Sequence, residues 1–302
     1  MIFINDEFGL VFLTILGCVS GFSAGLLGIG GGLVTVPALI FALPHFGVSG
    51  PEIPKIAMAT SLALIVPTSI ASTQTHAARG AVDWPMLVTL APSIVAGAFL
   101  ASVLAPAFNA HLVVLIFVTF AVVTAWRLIH GNETRPEQTC GAGTPPDPLS
   151  IAVKGVAGGG LAAAMGIGGA FFIIPILVRF ISMQRAIGTA SALAIPLSLA
   201  GGAGYILAEA PAGCQQGCVG YVFFPAVAAA GISAVLAAPF GAWLTQHSPV
   251  VALRRLFALF LICAAGNLAY KSIYPATMAN EARRVIAIIG SLVEEQPLIS
   301  SN

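Results

Sequence analysis

"GLLGIGGGLVTVP", residues 25–37, places five glycines inside the uncharged, apolar stretch 8–51. A helix crossing a membrane should be continuous there, and each interior glycine costs about 1 kcal/mol relative to alanine. Glycines that only let two helices touch recur every fourth residue on one face. Gly28, Gly30, Gly31 and Gly32 instead crowd around the whole circumference. The stretch therefore reads as a helix that breaks at the glycines and restarts at about Leu33.

The surroundings of the break are those of a membrane protein. Of the 302 residues 58% are hydrophobic and 8% charged, against about 25% charged in a soluble domain. The stretches 8–51, 56–78, 84–126, 155–178, 186–208, 210–253 and 256–270 carry no Asp, Glu, Lys or Arg, and a span needs only ~20 apolar residues. Asp6 and Glu7 stand where a cleavable signal peptide would be basic. The net charge of +1 offers no basic patch for nucleic acid. Cys18 and Cys263 fall in apolar stretches and Cys140 in a polar one. Cys214 and Cys218 have no histidine beside them, so a metal site is not expected; a disulfide in an oxidising compartment and two free thiols both fit.

The break occurs twice. "GIGGAFFIIP" (166–175) matches "GIGGGLVTVP" (28–37) at five of ten positions, and "IGTASALAIPLS" (187–198) matches "MATSLALIVPTS" (58–69) at Thr60/Thr189, Ala63/Ala192, Leu64/Leu193, Pro67/Pro196 and Ser69/Ser198. Two blocks in the same order point to an internal duplication. The expected organisation is a first membrane repeat over 1–130, a polar Gly/Pro-rich linker over 131–148, a second repeat over 149–274 and a C-terminal amphipathic tail over 275–302. Each repeat is read as a Gly-broken helix hairpin plus three long transmembrane helices: about 55–76, 85–106 and 110–130, then about 186–208, 221–245 and 249–270. The fold class is all-α, polytopic, with two homologous half-repeats.

Backbone N–H and C=O groups cannot be left facing lipid, so a broken helix at membrane depth must line protein or a water-filled cavity. A restarting helix presents free N–H groups and the positive end of its dipole, an anion site in outline. Interrupted segments at matching positions of two repeats mark a transporter's mid-depth binding site. The candidate substrate-binding residues are Gly28, Gly30, Gly31 and Gly32 with Thr60 and Ser61, and Gly166, Gly168 and Gly169 with Thr189 and Ser191. The hydroxyls precede Pro67 and Pro196 by about two turns; the plainer reading bonds each to its own helix at the i−4 carbonyl. His76 and Arg79 share a helix face and are either interfacial anchors or an electropositive vestibule. Asn267 reads as a helix-helix hydrogen bond.

These glycine motifs, together with "ARGAVDW" (78–84), resemble the TauE/SafE family of sulfite and organosulfur-anion exporters over nearly all of 8–272. The resemblance implies a secondary transporter of the bacterial inner membrane that moves an anion such as sulfite, sulfoacetate or a related sulfonate. The second half carries "GCVGYVFF" where the first has "HAARGAVDW", so any role for Arg79 and Asp83 is asymmetric.

The charge map adds a constraint of its own. Glu52, Asp83, Glu209 and all five histidines lie at segment ends, which leaves no carboxylate or basic group at mid-span. The anion is expected to be held by backbone N–H groups, helix dipoles and hydroxyls, with no metal, cofactor or catalytic group, and the lipid bilayer and a small anion are the expected partners. No carboxylate pair, histidine cluster or triad suggests an enzyme. An anion channel of the same architecture and an importer remain the alternatives to an exporter. If each glycine segment enters and returns, the repeats are inverted and Arg79, Arg127, Arg135, Lys154, Arg179, Arg185, Arg254 and Arg255 fall inside, as the positive-inside rule favours; if each crosses once, the repeats are parallel. The tail "NEARRVIAIIGSLVEE" (280–295) is read as lying along the interface or on a partner subunit, which would make a homo-oligomer.

Overall fold

The computed structural model describes residues 7–28, 30–108, 148–177, 180–214 and 216–244, with isolated positions between 114 and 126 and at 262 and 266. The expected helices over 110–130 and 249–270, the linker, the tail and Asn267 lie outside the continuously described residues. The helices are α1 (Glu7–Leu27), α2 (Gly32–Ala42), α3 (Ile53–Ala77), α4 (Trp84–Leu104), α5 (Pro148–Ala164), α6 (Ala170–Leu177), α7 (Met183–Leu207) and α8 (Phe224–Leu244). A two-stranded hairpin, β1 (Cys218–Val219) and β2 (Val222–Phe223), precedes α8. Among the described residues five helices are long and apolar enough to cross a membrane: Gly9–Leu26, Ile53–Ala77, Trp84–Ala107, Gln184–Leu207 and Phe224–Leu244. The protein is a mainly helical, polytopic membrane protein.

Lipid is as apolar as leucine, so helices associate in it through close packing, and small residues permit the closest approach. Gly17, Gly21 and Gly25 of α1 lie against the backbone of Ala230, Ala234 and Ala238 of α8. Gly155 and Gly159 of α5 lie against Ser93 and Ile94 of α4, and Gly97 of α4 against Val156. Both pairs run parallel. Each couples a helix from before residue 131 with one from after 148, so the two stretches of chain interlock. At the centre α3 and α7 run antiparallel: Leu62 meets Gly201, Ser72 meets Ser191 and His76 meets Gly188.

The ends of the bundle differ. At one end the starts of α3 and α8 and the end of α7 gather, tied by Ser49 N–H to the Gly213 carbonyl at 3.1 Å and Tyr221 N–H to the Tyr205 carbonyl at 3.1 Å. Cys214 and Cys218 form a disulfide there, which settles the two alternatives left open for these thiols. Buried Lys55 pairs with Glu52 at 2.9 Å and donates to the Pro106 carbonyl at 3.0 Å, so its charge is matched at the bundle end. Burial, then the nearby Glu52 carboxylate, raises the Tyr221 hydroxyl above the ordinary tyrosine pKa. At the other end Arg185 pairs with Asp83 at 3.2 Å, and Asp83 caps α4 through the Met86 N–H at 3.1 Å. The α1–α2 hairpin opens toward the disulfide end, where Phe46 packs on Phe223 with ring centroids 6.2 Å apart. The α5–α6 hairpin leads into α7 at the opposite end.

Candidate functional site

The first break falls where the glycines place it. Helix α1 stops at Leu27 and α2 starts at Gly32, one residue earlier than the expected Leu33. Gly31 is the N-cap, with φ 75° and no capping side chain. Gly32, Leu33, Val34 and Thr35, the first turn of α2, are all buried. A helix start thus lies inside the protein with its dipole unanswered by any side-chain cap. Gly31 packs on Ser20, whose hydroxyl bonds to Thr35 Oγ1 at 2.7 Å. Gly28 packs against the Ile187 carbonyl and Ser191 Oγ of α7.

The second break lies between Ala164 and Ala170. Gly166 adopts φ 68°, and a β-carbon there would sit 2.6 Å from Met58 Cα, so only glycine fits. Its carbonyl accepts the Ser61 hydroxyl at 2.8 Å. Gly169 packs on Leu197 of α7.

The two breaks meet. A β-carbon on Gly30, whose φ is 74°, would lie 3.2 Å from Gly168 Cα and 2.9 Å from Ile65 Cγ2; one on Gly32 would strike the Gly166 carbonyl. Ile65 is the middle residue of α3, a helix of 25 residues and so ~37 Å long. Contact between the breaks therefore occurs at about half the depth of the bundle. The structure brings together Gly28, Gly30, Gly31, Gly32, Ser61, Gly166, Gly168 and Ser191.

Thr60 and Thr189 have backbone partners. Thr60 Oγ1 donates to the Ile56 carbonyl at 2.6 Å and accepts the Phe223 N–H at 3.0 Å. Thr189 Oγ1 accepts the Asp83 N–H at 2.9 Å. Each threonine clamps the extended residue just before a long helix from the other stretch of chain, at opposite ends of the bundle. Sequence inspection missed both acceptor roles, because the partners are 163 and 106 residues away.

His76 and Arg79 diverge. His76 is buried, its Nε2 3.2 Å from the Gly25 carbonyl, whereas Arg79 is exposed and donates to the Ala242 carbonyl at 3.4 Å. His76 is thus neither an interfacial anchor nor the partner of Arg79 on one open face, since its ring is turned inward against α1. Among the described residues no three His, Cys, Asp or Glu side chains gather as a metal site.

Buried helix breaks meeting at mid-depth in a polytopic bundle are the arrangement expected of a membrane transporter. The chain belongs to the sulfite exporter TauE/SafE family, whose model matches residues 13–268. A probable membrane transporter protein of Haemophilus influenzae is 33% identical over 259 residues, covering 85% of this chain and 97% of the relative. One of Methanocaldococcus jannaschii is 27% identical over 237 residues, covering 78% and 85%. One of Xylella fastidiosa is 28% identical over 162 residues, covering 54% and 60%. No solved structure matches the chain significantly.

Proposed function

We propose that the protein is a secondary transporter that exports a small sulfur-containing anion, such as sulfite, sulfoacetate or a related sulfonate, across the bacterial inner membrane. The observation that carries this reading is the contact at mid-depth between two glycine breaks, beside the buried, uncapped start of α2. Peptide N–H groups and a helix dipole there suit an anion without adding a fixed positive charge, which favours release as much as capture.

An inverted arrangement of two repeats is supported by the antiparallel course of α3 and α7, which share the Thr/Pro pattern, and by the crossed Thr60–Phe223 and Thr189–Asp83 clamps. Opposed hairpins give alternating access a simple form: one hairpin parts from the other on either side of the same contact. The disulfide favours an oxidising compartment at its end, and Arg79 and Arg185 at the opposite end fit a cytoplasmic side. Export needs no proton relay, because a negative-inside potential drives an anion outward by about 2.3 kcal/mol per charge per 100 mV.

The test is uptake of labelled sulfite into proteoliposomes preloaded with unlabelled sulfite. Saturable counterflow supports the carrier; non-saturating conductance favours a channel, and flux that runs only inward in oriented vesicles favours an importer. An absence of sulfite, sulfoacetate and thiosulfate flux refutes the substrate class.

A further inference from the structure

Helix α3 carries a polar face between the break and the Arg79 end. Ser69, Ser72, Thr73 and His76 fall at i, i+3, i+4 and i+7, one stripe of the helix, and all are buried. Contacts at its edges fix where the stripe points. One turn before Ser69, Ile65 packs on Gly30; at the far end His76 meets the Gly25 carbonyl; from the side Ser72 bonds at 3.4 Å to Ser191, which packs on Gly28. The stripe therefore runs past Gly25, Gly28 and Gly30, beside the first break.

Two of its hydroxyls are anomalous. A serine or threonine in a helix can always donate to the carbonyl one turn back, and Thr60, Thr68 and Thr75 on α3 do so. Ser69 Oγ and Thr73 Oγ1 are buried and have no hydrogen-bond partner. Ser69 is 1% and Thr73 8% exposed, so water does not replace the missing bond by simple surface contact. The matching positions on α7 show no such vacancy: Ser198 donates to the Ala194 carbonyl, and residue 202 is a glycine. Leaving a buried hydroxyl unpartnered is costly, and here two lie one turn apart on the same stripe.

We infer that Ser69 and Thr73 form an oxyanion subsite on the Arg79 side of the break, donating to two oxygens of a sulfite or sulfonate group. This rests on the transporter reading above and extends it. Hydroxyl donors select for acceptor oxygens at a set spacing, and with the transporter reading this makes the class of ligand a small anion bearing an –SO3 or equivalent oxyanion head. The side chains lie between the cytoplasm-facing end and the glycine contact, where an exported anion arrives before the hairpins part.

The experiment compares wild type with Ser69→Ala, Thr73→Val and the double variant, reconstituted at matched density, with sulfite and methanesulfonate as probes. We expect the sulfite KM to rise about tenfold or more in each single variant and further in the double variant, while thermal stability without anion holds or increases. A structural role predicts the reverse, a lower Tm with KM unchanged, and that result overturns the subsite. If wild-type protein carries sulfite and the double variant binds and moves it with the wild-type KM, the subsite is wrong and the transporter reading stands. If wild-type protein moves no oxyanion, the transporter reading fails first and takes the subsite with it.

Discussion

Substituting Gly30 by alanine, with Gly80→Ala as its control, separates the meeting of the two breaks from glycine's backbone freedom. Both residues hold left-handed backbone, φ 74° and 68°. A β-carbon on either therefore adds about 1–2 kcal/mol of local strain. At Gly80 nothing lies within 4 Å of the new atom, so the cost ends there. At Gly30 the new atom meets Ile65 Cγ2 at 2.9 Å and Gly168 Cα at 3.2 Å. The first neighbour is the Cγ2 of a β-branched residue whose χ1 is held within α3, and the second is backbone of the opposite hairpin, so neither contact is relieved without a shift of its own element. Overpacking of this kind adds about 1–3 kcal/mol, for a total of about 2–5 kcal/mol against about 1–2 kcal/mol in the control. Thermal unfolding in detergent should rank wild type above Gly80→Ala above Gly30→Ala, and counterflow of labelled sulfite at matched density should survive in Gly80→Ala and collapse in Gly30→Ala. Equal stability and equal flux in the two variants would refute the claim that the breaks touch where transport happens.

Thr60→Val and Thr189→Val leave the Phe223 and Asp83 N–H groups without acceptors, so each should lose about 1–3 kcal/mol of stability in denaturant or thermal titration; a raised sulfite KM with stability unchanged would instead make these hydroxyls ligands. After reduction, a membrane-impermeant maleimide should label Cys214 and Cys218 from the periplasmic face of intact cells, and labelling only from the cytoplasmic face would invert the proposed orientation. Asp83→Asn, Glu52→Gln and Glu209→Gln should each retain potential-driven flux in liposomes, because none of these carboxylates lies at mid-depth; uphill accumulation under a pH gradient that one of the three abolishes would establish a protein-borne proton path.

Local backbone chemistry was the legible part. Consecutive glycines cannot extend a helix cheaply, so both breaks lie where "GIGGG" and "GIGG" put them, and long uncharged runs delimited α1, α3, α4, α7 and α8. Packing between distant segments was not legible. Gly17, Gly21 and Gly25 have the four-residue spacing of a contact face, yet nothing in the sequence says that their partner is Ala230, Ala234 and Ala238. The Thr60 hydroxyl reads as a donor because its acceptor function is filled by Phe223 N–H, 163 residues on. His76 reads as a boundary residue because Arg79 follows three residues later, whereas α3 ends at Ala77 and Arg79 lies in the turn beyond it, so the imidazole faces inward to Gly25 while the guanidinium stays outside. Ser69 and Thr73 resemble any back-bonded hydroxyls of a membrane helix, and only their missing partners distinguish them.

The central claim is that an oxyanion is held at mid-depth beside the two glycine breaks. Selenite has the shape and charge of sulfite and carries an anomalous scatterer, so a crystal structure of the full chain with selenite locates the site without assumption. A selenium peak is expected within hydrogen-bonding reach of Gly28, Gly30 to Leu33 and the Ser69 and Thr73 hydroxyls. A peak confined to the bundle ends, around Arg79 and Arg185 or around Lys55, with the glycine breaks unliganded, would contradict it.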